Sequence, residues 1–130
     1  MKPRVIEEWH KLVESRDALA LDAILDESVV FESPVVHTPQ VGKAITTKYL
    51  ASALVVLNNE HFHYLGEWFG PSSGVLEFAT IVNGIKVNGV DIITWNAENR
   101  ITHFKVMVRP LKAVNMLHQM MAAQLVAPAG

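Results

Sequence analysis

Apolar residues recur at helical spacing through the first part of the chain. Val5, Ile6, Trp9, Leu12 and Val13 predict a helix from about Pro3 to Ser15. Asp17 then caps a second, short helix carrying Leu19, Leu21, Ile24 and Leu25, ended by Asp26-Glu27. The β-branched run Ser28–Glu32 reads as a strand stopped by Ser33-Pro34, and a loop through His37-Thr38-Pro39 leads to Gly42. Ala44, Ile45, Tyr49, Leu50, Ala53 and Leu54 describe a third helix, which Asn58-Asn59 stop.

The period then changes. His61–Phe69, Gly74–Val82, Ile85–Trp95 and Ile101–Val108 read as strands. They are separated by Gly70-Pro71-Ser72-Ser73, Asn83-Gly84 and Asn96-Ala97-Glu98-Asn99, with Asn83-Gly84 the strongest hairpin signal. Pro110 opens a last helix, with Leu111, Val114, Leu117, Met121 and Leu125 on one side. Helices followed by a meander of long strands predict an α+β fold. The expected architecture is a strongly curved, mainly antiparallel sheet. Three helices from the N-terminal half wrap it into a cone with an apolar pocket, and the C-terminal helix covers the sheet or closes one end.

Composition narrows this picture. At 130 residues the chain fits one domain, residues 1–130, with a sizeable core. It is 50% hydrophobic and 18% charged, below the roughly 25% charged of typical globular proteins, with a mean hydropathy of +0.22. That balance opposes disorder and points to apolar surface hidden by a ligand cavity or a partner subunit. The net charge of −2 and the scatter of 11 Lys and Arg residues give no basic stripe, so no nucleic-acid partner is expected. With no cysteine, disulfides, thiolate catalysis and Cys-based zinc sites are excluded. Met1-Lys2-Pro3-Arg4 runs into Glu7-Glu8 without an apolar stretch, and no run approaches the ~18 apolar residues of a membrane span. A cytoplasmic protein with no membrane partner is the expectation.

Asp91 stands out among the residues able to carry chemistry. Period-2 counting groups it with Ile85, Val87, Gly89, Ile93 and Trp95, while Lys86, Asn88, Val90, Ile92 and Thr94 share the more polar face. A carboxyl there must find partners or take up a proton, and desolvation would raise its pKa. It is therefore either a general acid or base, or a structural Asp satisfied by a backbone amide or by an indole N–H such as that of Trp9. Glu77, grouped with Val75, Ala79 and Ile81, is a second candidate inward carboxylate or else a strand-edge charge. His37, in a loop between two prolines, can line a pocket mouth. His61, His63 and Glu67 share a strand face, a conceivable metal set, but no further ligand at helical spacing supports it and no metal is expected. Arg109 can pair with a carboxylate or an anionic ligand, and His10, His103 and His118 read as surface or flank positions.

Taken in order, several strings resemble the nuclear-transport-factor-2-like superfamily, and within it SnoaL-like polyketide cyclases and ketosteroid isomerase. They are Arg16-Asp17-Ala18-Leu19-Ala20-Leu21-Asp22, Val29-Val30-Phe31-Glu32-Ser33-Pro34-Val35, Gly42-Lys43-Ala44-Ile45 with Tyr49-Leu50, Gly89-Val90-Asp91-Ile92-Ile93-Thr94-Trp95, and Arg100-Ile101. The resemblance spans residues 5–109 and implies a curved sheet wrapped by three helices around a deep apolar pocket, usually in a homodimer. It implies that Asp91 matches a pocket-lining Asp. In ketosteroid isomerase that residue stays protonated in the oxyanion hole; in the cyclases an Asp in this region serves as acid/base. The isomerase's general-base Asp falls on Ser33, which cannot replace it, and its oxyanion-hole Tyr falls on Trp9, a donor only. Steroid isomerisation by that route is not expected.

Two functional readings follow. In the first, the chain is an isomerase, cyclase or lyase that needs no cofactor and acts on a small hydrophobic, carbonyl-bearing molecule of polyketide, terpenoid or steroid type. Asp91 moves the proton, with His37 or Tyr49 as second polar anchor. Phe31, Tyr49, Phe62, Tyr64, Phe78, Trp95 and Phe104, with Trp9 and Ser33, are the expected ligand-binding residues. In the second, the chain is a non-catalytic small-molecule-binding or dimeric interaction module of the same fold. In either case leftover apolar sheet surface is expected to form a homodimer interface.

Overall fold

The computed structural model describes residues 2–126. Helix α1, Arg4–Ser15, buries the five residues whose spacing predicts it. Arg16, left-handed at φ 59°, closes it by donating its N–H to the Leu12 carbonyl at 2.9 Å. The next segment departs from expectation. Ala18–Ala20 is a 3-10 turn, capped as foreseen by the Asp17 side chain, and α2 is a single turn, Leu21–Ile24. Leu19 is 89% exposed, and Leu25-Asp26-Glu27 belong to strand β1, Leu25–Glu32, rather than to a helix end. The reason is long-range: Leu25 is fully buried opposite Ile101, and Asp26 accepts from Ser28 N–H, Ser28 Oγ and Asn96 Nδ2.

A two-residue strand, β2 (Gln40–Val41), lies within the expected loop and pairs with Val30 and Phe31. Helix α3, Lys43–Leu57, follows Gly42, whose φ of 107° suits a residue without a side chain. The second half matches its period closely. Strands β3 (His63–Phe69), β4 (Ser73–Val82), β5 (Ile85–Trp95) and β6 (Ile101–Arg109) are joined by the three expected turns. Asn83 and Gly84 both take positive φ, 51° and 74°, as a tight hairpin turn requires. Helix α4, Leu111–Val126, is turned relative to the expected stripe. Leu111 is exposed on the side that carries Lys112, Asn115, His118 and Gln119, and Ala113, Met116, Leu117 and Met121 are buried opposite, so the polar residues set which face turns out. Among the described residues no helix is long and apolar enough to cross a membrane.

The sheet order is β2-β1-β6-β5-β4-β3, with β1 parallel to β6 and the other pairs antiparallel. It is therefore mixed, open and mainly antiparallel. The Asn83-Gly84 turn sets Val82 opposite Ile85 and carries that register to Ser73 opposite Thr94. Opposed residues in an antiparallel pair share a face. Leu76 is thereby opposite Asp91 and Phe78 opposite Gly89 on the covered face, where Phe31, Ile93 and Phe104 are also buried.

Gly89 is required by close approach rather than by backbone angle. A Cβ there would lie 2.6 Å from the Met107 carbonyl oxygen and 2.6 Å from Phe78 Cζ. Gly89→Ala is therefore expected to lower stability by about 1–3 kcal/mol, the usual cost of overpacking a core. Urea denaturation reads this as a lower midpoint at unchanged slope. An unshifted midpoint would mean that Phe78 and β6 yield freely.

Candidate functional site

The inward residues of β4, β5 and β6 and the undersides of α1, α3 and α4 enclose a cavity of about 60 Å³. Asp91 lies on its wall, 6% exposed, and among the described residues is the one carboxylic acid or basic side chain there. Period 2 on a strand paired on both sides holds it there, since its backbone partners are Leu76 and Val106. The Tyr64 hydroxyl, from β3, lies 3.5 Å from Asp91 Oδ2 and accepts a hydrogen bond from Trp9 Nε1 at 2.9 Å. Burial pushes the Asp91 carboxyl up to about 7, against the opposing pull of the Tyr64 hydrogen bond. Tyr64 is itself held well above the ordinary phenol range, first by burial and then by the Asp91 charge.

Aromatic rings surround this carboxyl. Trp9 tilts against Phe104 at 4.9 Å, and Phe62 stacks on Phe78 at 5.3 Å and meets Tyr64 edge-on at 5.2 Å. Of the expected ligand-binding residues, Trp9, Phe31, Ser33, Phe62, Tyr64, Phe78 and Phe104 line the cavity. Tyr49 and Trp95 do not: Tyr49 stands behind Phe31, with ring centroids 5.7 Å apart, and Trp95 is buried in the core at the far end of β5. Helical and loop residues that sequence reasoning placed in elements but not at a site complete the wall. They include Val13, Val35, Ala53, Leu57 and Asn58, whose Nδ2 donates to the Val13 carbonyl at 2.7 Å. Leu50 and Leu54 belong to the apolar stripe that predicts α3, and that stripe was their signal. Leu117 and Met121 of α4 close one end, as the last helix was expected to do.

Two expected catalytic positions lie elsewhere. Glu77 is opposite Val90 on the outer face and accepts from Asn88 Nδ2 at 3.1 Å, so it is not a second inward carboxylate. Its own face was grouped correctly; the hairpin register turns that face outward. His37 is exposed on a shallow depression that it shares with Glu32, Lys105 and Met107 and that borders the cavity at Ser33, Pro34 and Val106. His61, His63 and Glu67 do not converge either. His61 precedes β3, the His63 ring contacts the His61 carbonyl, and Glu67 is engaged by His10 and by Lys2 at 3.2 Å. Arg109 reaches Asn88 Oδ1 at 3.4 Å, and His103 pairs with Glu32 at 2.6 Å.

Comparison with solved structures places this geometry among known proteins. A steroid delta-isomerase from Pseudomonas aeruginosa is similar at 33% identity and a TM-score of 0.88, covering 93% of this chain and 88% of that one. A protein with a cystatin-like fold from Silicibacter pomeroyi DSS-3 is similar at 28% identity and a TM-score of 0.89, covering 97% and 88%. An epoxide hydrolase/cyclase-like enzyme of pyran ring formation in the polyether salinomycin shares the fold, at 22% identity and a TM-score of 0.66 over 81% and 88%. No sequence-family profile and no curated protein matches the chain.

The buried carboxyl makes a prediction about stability. It titrates near 7 when folded and near 3.8 when free, so between those values the folded state holds a proton that the unfolded state has lost. Its contribution to stability is full at low pH, falls as pH rises from about 4 to about 7, and then levels. Asp91→Asn is expected to remove this slope and to be more stable than the parent at pH 8, on the order of a few kcal/mol. Denaturation of both proteins at pH 5 and pH 8 checks it, and parallel pH dependence in the two would contradict it.

Proposed function

Since the chain belongs to the nuclear-transport-factor-2-like superfamily, we propose that it is an isomerase, cyclase or lyase that works without a cofactor. In this reading Asp91 gives or takes a proton at a small apolar substrate bearing a carbonyl. One observation carries it: a single ionisable carboxyl, desolvated to a pKa of about 7, faces a cavity otherwise walled by apolar and aromatic side chains. Such a group is divided between its two forms near neutral pH, the condition under which one residue serves as acid and as base. The superfamily's isomerase and cyclase members support the reaction type.

The steroid route is not the one proposed. Ser33 lines the cavity where that route needs a carboxylate, and its Oγ accepts from Val35 N–H at 3.1 Å. Size argues the same way. About 60 Å³ is far below the ~300 Å³ at the lower end of sites for drug-sized ligands. The cavity favours a compact substrate, such as a cyclic enone, over a steroid. A longer one needs Leu117 and Met121 to withdraw, a shift that a flexible methionine accommodates. The Ser33 and Trp9 departures favour the second reading, a binding module that does no chemistry.

Asp91→Asn separates the two. With a turned-over ligand found by screening conjugated ketones from cyclohex-2-enone upward, the variant is expected to lose about 10²–10⁴-fold in kcat, the usual worth of a general acid or base. Its affinity should stay within a few-fold. Full turnover in a folded Asp91→Asn protein would remove Asp91 from the mechanism. Binding without turnover in the parent across the series would leave the binding module.

A further inference from the structure

We infer that Tyr64, locked by Trp9, is a positioning residue that decides which oxygen of Asp91 carries the exchangeable proton: Oδ2 is kept as an acceptor, and Oδ1 is left to the cavity. The inference follows from donor and acceptor counting. An indole N–H can only donate. Trp9 Nε1 lies 2.9 Å from Tyr64 Oη, so the phenol oxygen accepts there and its own proton must point elsewhere. Among the described residues its one other partner is Asp91 Oδ2, at 3.5 Å. The contact is long, but its direction is set by the indole and not by its length. The neighbours hold both rings in place: Trp9 is wedged against Phe104, and the Tyr64 ring is met edge-on by His10 at 4.9 Å and by Phe62 at 5.2 Å.

Asp91 Oδ1 completes the argument. Among the described residues it has no hydrogen-bond partner and is not sealed off by them, so on the cavity wall it is the oxygen that opens on the cavity. A neutral Asp91 then carries its proton on Oδ1, facing the cavity, while Tyr64 donates to Oδ2. The groups packed around the pair leave this undisturbed. Strands β4 and β6 contribute Leu76, Phe78, Phe104 and Val106; α3 and α4 contribute aliphatic side chains. Glu67, which contacts His10 and pairs with Lys2, lies beyond the Tyr64 ring. Only the use made of the proton rests on the proposed function; its placement does not.

The test is the titration of the Asp91 carboxyl carbon by NMR in the full chain, assigned with Asp91→Asn, for the parent, Tyr64→Phe and Trp9→Phe. Tyr64→Phe removes the one donor to the carboxylate, so the Asp91 midpoint is expected to rise, by about half a unit or more. Trp9→Phe leaves the hydroxyl free to turn and accept from a protonated Oδ2, which favours the neutral acid and raises the midpoint as well. A merely structural role would lower the melting temperature of both variants and leave the midpoint where it was. A raised parent midpoint that neither folded variant moves overturns this inference alone. A parent midpoint near 3.8 overturns the reading of Asp91 as a desolvated acid. If Trp9→Phe does not fold, Tyr64→Phe decides by itself.

Discussion

A carboxyl held on the buried face of a central strand is the constraint on which the site depends. Asp91 cannot turn outward, because β5 is hydrogen-bonded on both sides, and a one-residue slip would move every core side chain to the wrong face. The two-residue Asn83-Gly84 turn prevents that slip. Burying the group works against the charged form, and the structure offsets little of this: one phenol reaches one oxygen at 3.5 Å. The remainder is carried by the packing of Trp9, Phe31, Phe78 and Phe104, whose burial favours the fold strongly enough to hold an incompletely satisfied acid.

The helices keep this environment dry in different ways. Helix α1 is pinned to β3 by polar contacts, Trp9 to Tyr64 and His10 to Glu67. Helix α3 is tied by Lys43 to Asp22 and Glu27, and the Asn58 side chain that follows it donates to the Val13 carbonyl. Helix α4 has one such tie among the described residues, from Asn83 Nδ2 to the Met120 sulfur at 3.5 Å. It is otherwise seated by apolar side chains, including those that close the cavity. Two walls of the site are thus fixed in direction by several polar contacts, and the third chiefly by fit.

How much of this was legible in the sequence follows from how local each signal is. The strands of the second half, their turns and the inward face of β5 are encoded by alternation and by turn residues, and they match. The Leu25–Glu27 segment is set by contacts with Ile101 and Asn96, about 70 residues away, and no local pattern announces those. Glu77 shows where two legible facts had to be combined. Alternation groups it with Val75, Ala79 and Ile81, and counting back from the Asn83-Gly84 turn puts it opposite Val90, on the polar face of β5. The register was present in the sequence and decides the face. His37 has no such resource, since a loop between prolines carries no period, and the pairing of Tyr64 with Asp91 joins strands that are not adjacent in the sheet.

The departures from the isomerase pattern are coupled rather than independent. Trp9, where the resemblance expects a tyrosine, cannot accept a hydrogen bond and is too far committed to Tyr64 to serve a ligand directly. Ser33, in place of a carboxylate, leaves Asp91 as the one carboxyl of the cavity among the described residues. A site with two carboxylates divides acid and base between them; a site with one must have that one change roles or keep a single role. A pKa of about 7 makes both forms of Asp91 available near neutral pH.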